Sequence, residues 1–80
     1  MEFTIEKNDQ GQWNAVSLAR TVRVYWHSEL IKDGFTDDHF EGMGLCRFDR
    51  GFPNSKIVSG NRPGDTLYMK LADEYLSPHP

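Results

Sequence analysis

Residues Trp13–Gly34 read WNAVSLARTVRVYWHSELIKDG, and whether this stretch winds as a helix or runs as strands decides the fold. It holds both tryptophans and the longest periodic apolar pattern in the chain. At 100° per residue, Ala15, Val16, Leu18, Ala19, Val22, Tyr25, Trp26 and Leu30 gather on one side. Ser17, Arg20, Thr21, His27, Ser28 and Lys32 gather opposite them, with Arg23, Val24, Glu29 and Ile31 off pattern. Asn14 can cap the first free N–H groups, and Gly34 suits the left-handed position after a last turn. The rival is a strand over Thr21–Ser28, where Val22, Val24 and Trp26 alternate with Arg23, Tyr25 and His27. That reading requires a break near Ala19–Arg20, where no strong turn former stands. The pattern count therefore favours one helix over 14–33, with Trp26 at the centre of the core.

Working outward, Glu2–Lys7 alternates as a half-buried strand with Phe3 and Ile5 inward, and Asn8–Gly11 carries turn chemistry. Thr36–Gly42 reads as a short helical turn capped by Thr36, with Phe35 and Phe40 as a staple across its start. Gly44–Arg50 reads as a strand burying its Cys46–Phe48 face, and Ser55–Ser59 as another. Pro63-Gly64 fits the centre of a type II turn, and Asp65 reads as the cap of a helix over Thr66–Leu76, with a strand at Leu67–Leu71 as the alternative because Leu67, Met69 and Leu71 also alternate. Residues 77–80 read as a frayed tail. The expected fold is α+β: a single domain spanning 1–80, with a short antiparallel sheet of about three strands. A long central helix and a C-terminal helix pack against that sheet.

Composition narrows the function classes. A hydrophobic content of 38% points to a folded globule rather than a disordered tail. No apolar run approaches the ~20 residues of a membrane span, and Met1-Glu2 does not open a secretory signal. Cys46 is the only cysteine, which excludes an internal disulfide and points to a reducing, cytoplasmic setting. The net charge is −3, unevenly spread. Residues 29–41 carry Glu29, Asp33, Asp37, Asp38 and Glu41 against Lys32, whereas residues 47–62 carry Arg47, Arg50, Lys56 and Arg62 against Asp49.

Neither a cofactor nor a metal is called for. Asp37, Asp38, His39 and Glu41 lack the spacing of a zinc or calcium site and are explained by the preference of a helix start for acids. No nucleophile elbow, P-loop or dinucleotide pattern occurs, and so small a chain has little room for a substrate pocket of ~300 Å³ beside its core. The expectation is a non-catalytic interaction module of adaptor or inhibitor type, docking on a larger protein, with no membrane partner. Small motif-free chains of this class are common among phage- or plasmid-encoded regulators. The alternative is nucleic-acid binding through the basic 47–62 segment, opposed by the net negative charge. Arg23, Tyr25, Arg47, Arg50, Phe52 and Arg62 are the candidate binding residues, of the types favoured at interface hot spots. Phe52, in a turn, is the aromatic expected to be most exposed.

Overall fold

The computed structural model describes residues 1–70, with Glu41 described in its backbone alone. Among the described residues, six strands run as β1 Glu2–Lys7, β2 Trp13–Val16, β3 Thr21–Trp26, β4 Leu45–Arg47, β5 Lys56–Ser59 and β6 Leu67–Lys70. Three short helices join them: α1 His27–Lys32, α2 Asp37–Gly42 and α3 Phe48–Gly51. The strand order is β4-β6-β3-β2-β1-β5, with β1–β5 parallel and every other pairing antiparallel. The sheet curls into a half-barrel.

Trp13–Gly34 is thus not one helix but two strands followed by a short helix. The break that looked unsupported is made by Ser17. Its N–H donates to the Arg20 carbonyl (2.9 Å), and its Oγ accepts from the N–H groups of Ala19 (3.3 Å) and Arg20 (3.1 Å). A serine that closes its own turn in this way substitutes for the missing glycine or proline. Beyond the turn the burial period is two. Val22, Val24 and Trp26 are buried on one face, and Arg23 stands exposed between them. Val24, off the helical stripe, is 1% exposed, whereas Leu18, on that stripe, is fully exposed.

The inner face of the curl carries the main core: Phe3 and Ile5 from β1, Ala15 from β2, Val22, Val24 and Trp26 from β3, and Leu67 and Met69 from β6. Phe48 of α3 completes it, its ring 5.0 Å from that of Phe3. Gly51 lies so close against the Met69 sulfur that a Cβ there would overlap it. Hence α3 plugs the inner face. A second cluster, Leu30, Phe40 and Leu45 with Tyr25 and Tyr68 against it, lies on the outer face of β3, β6 and β4 beneath α1 and α2.

Several local expectations hold, including β1, β5, the α2 turn and Pro63-Gly64, where Gly64 has φ +84 and the Asp65 N–H bonds the Arg62 carbonyl (3.0 Å). Others are corrected. The three-stranded antiparallel sheet is a six-stranded mixed one, and among the described residues there is no long central helix. Leu67–Lys70, expected as helix, is a strand because β3 and β4 flank it and take up its backbone hydrogen bonds. The rest of that expected helix and the 77–80 tail lie outside the described residues. The strand expected over Gly44–Arg50 spans only Leu45–Arg47, and Phe48 opens α3. The staple is not as expected: Phe40 is buried and Phe35 stays at the surface.

A candidate protein-docking site

The six residues singled out in the sequence do not converge. Arg62 is structural. Its guanidinium lies 4.8 Å from the Trp26 ring centre and 4.9 Å from that of Trp13, and it pairs with Glu29 (3.0 Å) and Asp65 (3.8 Å). Phe52 is half-buried against Phe3 (5.2 Å) and Phe48 (5.3 Å), beneath the Arg20 guanidinium, so it is not the exposed aromatic expected. Arg23 lies over Tyr25 (5.3 Å) on the outer face of β3. Arg47 pairs with Asp49 (3.2 Å), and Arg50 is exposed on α3.

Asp65 anchors a capping arrangement that joins distant parts of the chain. Its carboxylate accepts from the Ser28 N–H (3.1 Å), the Ser28 hydroxyl (2.5 Å) and the Thr66 N–H (3.0 Å). Partial burial pushes its pKa up, but the Ser28 and Thr66 hydrogen bonds, with the Arg62 charge, hold it below the ordinary value. Asp65 therefore caps α1, not the helix expected after it.

Cys46, His27 and His39 sit in separate local settings. Burial pushes the Cys46 thiol up, with Arg50 pulling it down and Asp49 adding to the rise, so little thiolate forms at neutral pH. His27 Nε2 meets Asp37 (3.1 Å), and its ring packs against Phe40 (5.6 Å) and Tyr68 (5.9 Å). His39 Nδ1 accepts the Thr36 N–H (3.0 Å) and lies 3.2 Å from the Thr36 hydroxyl, a local helix cap. Among the described residues no three His, Cys, Asp or Glu side chains are placed to hold a metal ion, and no helix is long and apolar enough to cross a membrane.

An exposed apolar pair stands at the α1–α2 connection. Between α1 and α2 the chain turns at Gly34 (φ +96), whose N–H bonds the Ile31 carbonyl, and the Phe35 N–H bonds that of Leu30. Here α2 turns Phe40 inward and leaves Phe35 and Met43 outside, 37% and 36% exposed. The Phe35 ring meets His39 edge-on at 6.2 Å. Together with Asp33, Gly34, Asp38, His39 and Gly42 they line a cleft of about 410 Å³. A Cβ built at Gly34 or Gly42 would have nothing within 4 Å, so the cleft walls are open. The sequence reading missed this site. Its one signal was a pair of large apolar residues in glycine-flanked connections, Gly34-Phe35 and Gly42-Met43-Gly44, and Phe35 also reads as half of a staple.

A second apolar area lies on the outer face of β2, β1 and β5, which α1 and α2 do not cover. There Met1, Val16, Leu18 and Val58, with Glu2, Thr4 and Glu6, line a hollow of about 610 Å³. No family model matches the chain, and comparison with curated proteins and with solved structures returns no match.

Proposed function

We propose that this chain is a small non-catalytic interaction module, of adaptor or inhibitor type, that docks onto a larger protein through the cleft between α1 and α2. The observation that carries the reading is the pair Phe35 and Met43, held at the rim of an open cleft by a turn and a helix end that are themselves well hydrogen-bonded. Apolar side chains gathered at a concave, polar-rimmed place are the usual mark of a protein contact. The lone Cys46 supports a reducing, cytoplasmic setting for that contact. Nucleic-acid binding through residues 47–62 has less support. Arg62 is committed to the tryptophans and to Glu29, which leaves Arg47, Arg50 and Lys56 as the exposed cations of that segment.

The test is affinity capture from nuclease-treated cells expressing the tagged chain. The expected result is one stoichiometric protein retained by the parent and lost by the folded Phe35→Ser/Met43→Ser variant. Retention of that protein by the variant overturns the reading. A gel shift with DNA or RNA at low salt, abolished by Arg47→Ala with Arg50→Ala, would turn preference to nucleic acid.

A further inference from the structure

The acidic stretch 29–41 is not uniformly free. Glu29 is paired with Arg62, and Asp37 with His27. Asp33 and Asp38 are exposed and have no ion-pair partner among the described residues, and both line the Phe35–Met43 cleft. No lysine or arginine lines it. Of the four carboxylates in this stretch whose side chains are described, Glu29 and Asp37 are paired, while Asp33 and Asp38, which flank exposed apolar side chains, have no ion-pair partner among the described residues.

Resting on the docking reading above, we infer that the cleft receives a basic segment of the partner protein in which one bulky apolar side chain is flanked by lysine or arginine. The anchor enters between Phe35 and Met43, where an aromatic ring gains contact with the Phe35 face, the His39 edge and the Met43 sulfur. The flanking cations meet Asp33 and Asp38. Charge complementarity of this kind selects the partner and speeds encounter more than it adds affinity, and it is screened by salt.

The probe is a labelled heptapeptide with a central phenylalanine and two lysines on either side, titrated into the full chain and followed by amide chemical shifts. A second peptide carries glutamates in place of the lysines. The basic peptide is expected to shift residues 33–43 and to bind at least tenfold more tightly than the acidic one. Asp33→Asn with Asp38→Asn is expected to weaken it roughly fivefold, as for two exposed ion pairs, and raised salt to weaken it further. Equal binding of the two peptides, or no binding of the basic one, overturns the inference. So do shifts that appear with protein concentration alone, which would make a second copy the occupant. Captured protein lost by Phe35→Ser/Met43→Ser but kept by Asp33→Asn/Asp38→Asn sinks the basic partner while the docking reading survives. Capture unchanged by either pair sinks both.

Discussion

Arg62 and Gly60 show how single residues hold the fold. Arg62 bridges two indole rings that themselves meet edge to face (6.2 Å, 84°), and neither indole N–H finds a hydrogen-bond acceptor among the described residues. The ring contacts and the guanidinium are what stabilise that pair, so Arg62→Ala should cost ~1–2 kcal/mol, read from urea unfolding. Trp26, fully buried, should cost ~3–5 kcal/mol on truncation to alanine. A folded Trp26→Ala protein of near-parental stability would show that this packing is misjudged. Gly60 combines φ +83 with a backbone approach to the Ile5 carbonyl that leaves no space for a Cβ. Gly34 has φ +96 but open surroundings. Gly34→Ala should therefore cost ~1–2 kcal/mol and Gly60→Ala clearly more, because β1 must also move. Equal midpoints for the two variants would refute the clash.

At the scale of elements, α1 has only six residues and no cap from its own N-terminal side. Such a helix is marginal alone. Asp65 supplies the missing acceptor from the β5–β6 connection, and the His27 N–H adds a bond to the Thr66 carbonyl (2.8 Å). Because the folded-state pKa of Asp65 is lowered, its contribution is fully present above the unfolded value of ~3.9 and is lost as pH falls through the folded value. Asp65→Asn should cost ~1 kcal/mol at neutral pH and flatten that part of the acid limb. If stability below about pH 4 fell equally steeply in both proteins, another carboxylate would be responsible. The β2–β3 turn depends on Ser17 in the same way. Ser17→Ala should lower stability by ~0.5–1 kcal/mol, by thermal unfolding.

For the whole molecule, the half-barrel needs α3 as its plug. Phe48 is 3% exposed between Phe3 and Phe52, so Phe48→Ala should cost ~3–5 kcal/mol and open the inner face. Phe35→Ser, at the surface, should change stability by no more than ~0.5 kcal/mol while removing the docking contact. That contrast separates the side of the molecule that folds it from the side offered to a partner. Comparing unfolding midpoints with partner capture for the two variants checks it.

The sequence by itself determined whatever depends on near neighbours. Alternation in Glu2–Lys7, the acidic start of α2 and the Pro63-Gly64 turn were all legible. In each case the residues that decide the conformation lie within a few positions. The identity of Trp13–Gly34 was decided elsewhere, since its apolar residues nearly fit both periods and Ser17 is a quiet turn signal. Thr21–Arg23 pairs with Asn14–Val16 across the Ser17 turn, but Val24–Trp26 pairs with Leu67–Met69, which returns more than forty positions later. The candidate site was hidden for the same reason. Phe40 is buried because Leu45 of β4 and Tyr68 of β6 stand beneath it, and Glu29 finds its cation in Arg62, more than thirty positions away. Pairing across the sheet is a long-range choice, and only the tertiary structure makes it.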